Sequence, residues 1–405
     1  MRHLLFTLTL AAGVSFCPSL NAQVDCSKST KLICLIPSQL DLLDPAKSSN
    51  FGVASFPINE AVGSEVSSLP LASPASGIIY IFDPKLNVPV PTSETLGPVL
   101  TQRPETIGRH RIYIAVTYQG FRFEDLDGVS LRTLPVVVTL PDGLFSTATN
   151  NRLDLTASQV TGYLTFGLTS RVDISAAVPV LHVEEQLTTS GLRYDLTNTN
   201  NPPSAINDLV STGASTGIGD VILAVKGTVW KPSRGGLAVG AEVRLPTGDS
   251  LNFLGAGTIG VKPYVSMSYG RRLAIHGTVG YQINGNSDLV SNGEGTNGHL
   301  PNRLYFSEGV EWGATQWITL AADLISERVF NAERIEATST LIQPRNVTFP
   351  DLSNYGGSYN RSDGSAGFKV KPYHNLIITA NLLVKLDQGG LRTRLLPLGG
   401  LSYTF

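Results

Sequence analysis

The chain has 405 residues, 30 Lys plus Arg against 32 Asp plus Glu, a formal net charge of -2 and 15% charged residues, well short of the roughly 25% usual in soluble domains. So balanced a charge leaves no footprint for nucleic acid. Beyond residue 22 no stretch approaches the roughly 20 consecutive apolar residues of a spanning helix, and the longest candidate, residues 376–386, is broken by Asn381 and Lys385.

Residues 1–22 carry Arg2 and His3, an apolar run over 4–16 and then Leu20-Asn21-Ala22, the layout of an export signal cleaved after Ala22. Cys17 follows Phe16, where lipoprotein processing requires a small residue, so no lipid anchor is expected. Cys26 and Cys34 then remain. In an oxidising compartment this spacing reads as a short disulfide loop or as two free thiols, and with no histidine beside it no metal site is expected.

Residues 23–108 form a proline-dense segment that includes Pro37, Pro45, Pro57, Pro70, Pro84, Pro91, Pro98 and Pro104. Proline cannot donate to a ladder, so central strands are not expected here. A short helix is predicted over residues 32–43. Residues 78–82 (IIYIF) are an apolar run that must be covered. Two readings stay open: a plug inside a pore, or a loosely attached periplasmic tail.

From residue 109 the rhythm changes. Ile112, Ile114, Val116 and Tyr118 alternate with Tyr113, Ala115, Thr117 and Gln119, and a period of two means strand. Tight turns are predicted at Thr169-Ser170-Arg171, Pro232 to Gly235, Gly270-Arg271, Ala314-Thr315 and Pro372-Tyr373-His374. Long connections are predicted at 124–151, 186–216, 246–257, 284–301 and 330–363, with a shorter one at 387–391. Short turns at one end and long loops at the other are the signature of an outer-membrane barrel. The expected fold is therefore all-β: over residues 109–405, a transmembrane antiparallel up-and-down barrel of about twelve strands, preceded by the irregular segment. An even number returns both ends to the periplasmic side.

Alternation also assigns faces. Charges at the lipid-facing midplane cost roughly 2–4 kcal/mol for Arg or Lys, which sends Lys226, Glu242, Arg244, Lys262, His276, Glu311, Asp323, Lys369, Lys371 and Lys385 into the lumen. This set leans cationic. It reads either as an anion-favouring lumen or as charges that pair with one another. Glu308 shares the parity of Phe306, Val310 and Trp312, so a bulge there or a position beyond the membrane is expected.

Chemistry-bearing patterns are weak. A lipid hydrolase needs a serine, a histidine base and an orienting group, but Gly277-Thr278 follows His276. Residues 213–219 (GASTGIG) and 255–260 (GAGTIG) are glycine-rich yet lead into strand rather than helix, so the phosphate-binding helix end is missing. Neither an enzyme nor any metal or cofactor is expected.

Residues 216–265 contain an ordered series: Gly217-Ile218-Gly219-Asp220 opening a strand, Gly235-Gly236 at a hairpin, Leu245-Pro246-Thr247-Gly248-Asp249, then Gly255 and Gly257. In this order the pieces resemble outer-membrane proteins grouped as the phenol-degradation meta-pathway transporter family, similar in style to hydrophobic-compound channels. The resemblance implies an outer-membrane barrel and suggests passage of small hydrophobic or aromatic compounds. It supplies no catalytic residues. Against that channel stand a closed structural or surface-interaction barrel and, further off, a lipid hydrolase. Expected partners are outer-membrane lipid, the barrel assembly machinery and a small organic permeant, not nucleic acid.

The chain closes on Leu401-Ser402-Tyr403-Thr404-Phe405, apolar and aromatic at every second position. Gly400, Tyr403 and Phe405 read as an assembly signal on the closing strand, which must pair with the strand near residue 109 to remove both sheet edges.

Overall fold

The computed structural model describes residue 26 and residues 29–43, 56–66, 80–83, 88–91, 95–140, 143–232, 234–291 and 297–405. The predicted export signal lies outside them, as do Ile78 and Ile79 of the apolar run; Tyr80–Asp83 pairs with Val88–Pro91 as a small hairpin.

Twelve strands make the wall: β1 (Ile112–Leu126), β2 (Phe145–Gly167), β3 (Val172–Asp195), β4 (Val221–Trp230), β5 (Gly235–Leu245), β6 (Gly260–Gly270), β7 (Leu273–Asn284), β8 (Arg303–Gly313), β9 (Ile318–Ile342), β10 (Val347–Tyr373), β11 (Leu376–Lys385) and β12 (Leu395–Thr404). Each pairs antiparallel with the next in chain order, and β12 pairs with β1 through Gly400↔Thr117 and Tyr403↔Ile114. The ring is closed, and the Phe405 amide donates to the Ile112 carbonyl at 2.8 Å to extend the seam. Closure leaves none of these twelve without two neighbours, the condition for strands to cross hydrocarbon.

The five predicted tight turns gather at one end. There Trp230, Tyr269, Trp312, Trp317, Tyr373 and Phe405 stand exposed on the outside, forming the aromatic girdle of a membrane boundary. Above it the outer face is apolar: Val225, Val239, Val265, Ile275, Val310, Leu320 and Leu401 are all exposed. The alternation is cleanest in β8, where Ser307, Gly309 and Glu311 face in and Phe306, Val310 and Trp312 face out. Glu308 is also exposed, opposite Gly277 and Leu324, and the register of β8 is unbroken on both sides. No bulge accounts for its parity; the carboxyl stands on the outer face.

Much of the predicted long connections is strand instead: residues 134–139 pair with 146–151 inside 124–151, residues 286–291 pair with 297–299 inside 284–301, and two connections are strand almost throughout. β2 and β3 run 23 and 24 residues and β9 and β10 run 25 and 27, against the roughly 9–11 a barrel strand needs to cross a bilayer. Residues 186–216 therefore continue β3 and return as Ser204–Ile218, and residues 330–363 are the upper halves of β9 and β10. They look like loops in sequence because the polarity of their faces reverses. In upper β3 Leu181, Val183 and Leu187 are buried, with Glu185 and Thr189 on the same face, while His182, Glu184 and Gln186 face outward. Above the membrane, water is outside and a packed core inside.

The tall hairpins lean together. Arg345 donates to the carbonyls of Asp195, Asn198 and Thr199, and the Tyr194 and Phe349 rings lie 5.4 Å apart. The tips of the connections predicted at 186–216 and 330–363 thus hold one another.

Candidate functional site: the filled lumen

What fills the barrel is the N-terminal segment. Residues 95–107 thread the lower lumen with Thr95, Leu96, Val99, Leu100, Thr101, Arg103, Thr106 and Ile107 all buried. With Pro98 and Pro104 this stretch builds no ladder of its own, yet its buried amides and carbonyls must be bonded. The wall supplies the partners. Asp323 accepts from the Thr101 hydroxyl at 2.7 Å and the Leu100 and Thr101 amides at 3.4 Å, and Asp173 accepts from the Ile107 amide at 3.0 Å. Lys226 donates to the carbonyls of Arg103 at 2.9 Å and Glu105 at 2.8 Å, and Lys369 to that of Pro98 at 2.5 Å. Thr228 and Thr278 donate to the carbonyls of Pro104 and Gln102.

The inward residues thus fall into groups that neither sequence reading separates. Lys226, Asp323 and Lys369 bond the threaded segment. Glu242 pairs with Lys262 at 2.7 Å, Arg244 lies 3.6 Å from Asp220, and Lys385 pairs with Asp125. His276 meets Glu311 at 2.9 Å, and Glu311 also accepts from the Thr95 hydroxyl at 2.8 Å. Lys371 is half-buried near the end of β10. The cationic lean disappears once all buried charges of the described residues are counted: eight carboxylates, Asp173, Glu185 and Asp220 among them, stand against seven Lys and Arg. Alternation alone singles out none of Asp173, Glu185, Arg303, Arg361 and Arg392, although each is buried, and Asp220 stands out only in the glycine-rich series.

The upper lumen is largely apolar, with a cluster of buried ion pairs beside α2. A short helix α1 (Leu35–Asp41), preceded by a 3-10 turn at Leu32–Cys34, and a longer α2 (Phe56–Val66) lie inside the tall strands. Leu32, Ile36, Leu40, Ile58, Val62 and Val66 pack in one core with the wall residues Phe121, Phe123, Leu153, Leu155, Val183 and Ile325. Cys26 and Cys34 are joined in a disulfide. Polar anchors fix the helices: the Gln39 amide donates to the Thr189 hydroxyl at 2.8 Å, Lys31 pairs with Asp249 at 2.6 Å, and Arg303 donates to the Ser64 hydroxyl at 2.6 Å. Glu65 of α2 accepts from Arg361, while Arg303 also pairs with Glu327 at 2.8 Å. The Lys31 ammonium and the Asn252 amide hold the Asp249 carboxyl below its usual range against a raising effect of burial.

The glycine-rich series has a structural role at this level. The wall strand after β3 breaks at Gly219-Asp220: Ser204–Ile218 pairs with upper β3 and β4 with its base. Asp220 accepts from the Gly248 amide at 3.1 Å and the Ala256 amide at 2.7 Å, and the Thr247 hydroxyl donates to the Gly219 carbonyl at 2.7 Å. Residues 246–259 are thereby drawn inward, burying Phe253, Leu254 and Ala256. Gly255 is required, since a Cβ there would lie 2.3 Å from the Asp220 carboxylate. Among the described residues nothing pairs with the outer edge of Ser204–Ile218.

A closed wall, an apolar exterior, an aromatic girdle and a filled lumen define a plugged transmembrane β-barrel. Residues 136–316 match the family described as "Putative MetA-pathway of phenol degradation", and the chain resembles that family across this stretch, wider than the motif series from which the resemblance was read. No curated protein sequence matches the chain. Among solved structures it is similar to an outer membrane channel from Pseudomonas putida F1 (12% identity, 75% of this chain and 98% of that one, TM-score 0.43). It is also similar to the NanC porin (9%, 71% and 98%, 0.39) and to a FadL homologue from Pseudomonas aeruginosa (13%, 82% and 96%, 0.33).

Two outcomes follow for the plug. Asp323→Ala removes the acceptor of two buried amides and a hydroxyl, a loss of roughly 1–3 kcal/mol; amide hydrogen exchange at Leu100 and Thr101 should quicken about 10- to 100-fold, and unchanged protection would contradict the assigned bonds. Burial pushes the Glu60 carboxyl of α2 up to about 7, only partly offset by the Glu333 amide. A carboxyl raised above its unfolded value stabilises docking fully below about 4.5 and loses that contribution as pH climbs through about 7. Exchange in α2, corrected for intrinsic rates, should therefore rise between pH 5 and 8 in the wild type and stay flat in Glu60→Gln.

Proposed function

We propose that the protein is a passive channel of the bacterial outer membrane for small hydrophobic or aromatic compounds, closed at rest by its own N-terminal segment. The observation that carries this reading is the apolar lining of the upper lumen: Phe121, Phe123, Leu153, Leu155, Val183 and Leu187 face inward and are covered by α1 and α2. A channel for ions or sugars needs polar walls along its whole length, whereas an apolar permeant gains roughly 25 cal/mol per Å² on entering a lining of this kind. The helices occupy the permeant's place and hand it over when they shift. Release toward the periplasm then requires residues 95–107 to move, or the permeant to leave where Ser204–Ile218 lacks an outer neighbour. The family match supports the same substrate class through its description. Gly400, Tyr403 and Phe405 serve as the assembly signal at the seam, and no catalysis is assigned.

His276 does not favour a hydrolase. Its imidazole is bonded to Glu311 and enclosed by the threaded segment, turned away from the lipid such an enzyme would cleave. The filled lumen gives the closed structural barrel its one supporting observation, and conductance separates the two. In planar bilayers the full chain should carry little steady current, and deletion of residues 23–107 should open a large conductance; cells producing the full chain should take up labelled toluene faster than cells lacking it. A closed deletion variant and unchanged toluene uptake would sink the channel reading.

A further inference from the structure

One carboxyl inside the barrel has no hydrogen-bond partner among the described residues. Glu185 on β3 is 2% exposed, and neither of its carboxylate oxygens meets a hydrogen-bond donor among the described residues. Its ladder neighbours are Leu155 and Gly213, and Val183 and Leu187 flank it on the same face. A side chain at Gly213 would stand 2.6 Å from Leu32 and 3.0 Å from Leu35, so these two leucines press into the hollow the glycine leaves. The neighbouring Glu184 and His182 point outward and bond each other at 3.0 Å. The ladder partners, the flanking residues on this face and the two covering leucines are all apolar or glycine.

Such an arrangement costs several kcal/mol, and a site needing only to pack would hold an apolar side chain. The cover is also lightly held. Among the described residues its polar ties to the wall are the half-exposed Lys31–Asp249 pair, the Leu32 amide on Asn252 at 3.2 Å, Gln39 on Thr189 and the Leu209 carbonyl, and Arg193 on the Leu43 carbonyl, and the Asn59 amide of α2 donates to the Ile33 carbonyl at 2.8 Å. Beside it lies the strand whose outer edge is unpaired.

We propose that Glu185 anchors a binding site beneath Leu32 and Leu35 for a small, mostly apolar molecule bearing one hydrogen-bond donor, such as a hydroxyl. The leucines hold the place of the molecule's apolar body, and its hydroxyl supplies the bond Glu185 lacks once α1 lifts. The inference rests on the channel reading and narrows its permeant, since a pure hydrocarbon fills the hollow yet leaves the carboxyl unpaired.

The test is calorimetric titration of the full chain in detergent, against a micelle blank, with phenol, toluene and anisole, which are close in size and of which only phenol donates. A hydrogen bond to a charged or buried acceptor corresponds to roughly a 10-fold or greater preference, so phenol should bind about that much more tightly than either of the others. In Glu185→Leu the three should bind alike, with toluene at its wild-type affinity. Equal binding in the wild type, or a phenol preference that survives Glu185→Leu, overturns the site; if the variant does not fold, the wild-type comparison decides alone. Because no membrane is involved, toluene uptake without phenol preference sinks only this site, and phenol preference without uptake sinks only the channel.

Discussion

An irregular backbone inside a barrel has neither water nor a ladder to bond, and everything distinctive here follows from how that need is met. Asp173 and Asp323 take amides of the threaded segment, and Lys226 and Lys369 take its carbonyls. Acids meet donors and lysines meet acceptors, so the wall reads chiefly the direction of the peptide groups, to which the Thr101 hydroxyl adds one side-chain contact on Asp323. At these four positions the lumen charges do more than offset one another across the wall, as Asp173 and Lys226 do from opposite places in the ladder. They are the fixed half of a contact whose other half is main chain.

The barrel is accordingly two solvents stacked along one set of strands. Near the aromatic girdle, hydrocarbon lies outside and a polar, threaded interior within; higher up, water lies outside and an apolar core of wall and helices within. Phe121 and Phe123 face in while Arg122 faces out, the reverse of Val116 and Thr117 lower on the same strand. The inward fold of residues 246–259, clamped by Asp220, sits where one regime gives way to the other and where the wall strand is broken.

This inversion explains what sequence could and could not disclose. The strands, the ring, its closure through Tyr403 and the inward side of Lys226, Asp323 and Lys369 were legible, because hydrocarbon forces an apolar face at every second residue. The upper halves of β3, β9 and β10 were not, since their outward faces are as polar as loops; noticing that Leu181, Val183 and Leu187 keep the parity of the lower strand would have continued β3 past residue 186. The plug's partners were out of reach for another reason: residues 95–107 carry no periodicity, and a backbone acceptor leaves no mark in sequence. Glu185 escapes notice because it stands at the very end of the predicted strand, next to the connection expected over 186–216, and Arg361 because it falls inside the connection expected over 330–363.

The central claim is that residues 95–107 lie inside the wall, and proximity decides it. A Cβ on Gly309 would stand 3.3 Å from the Thr101 Cβ, within reach of a disulfide. In membranes, Thr101→Cys combined with Gly309→Cys should cross-link on mild oxidation and resist a membrane-impermeant maleimide beforehand. Rapid maleimide labelling at residue 101 with no cross-link would place the segment outside the barrel and contradict the account.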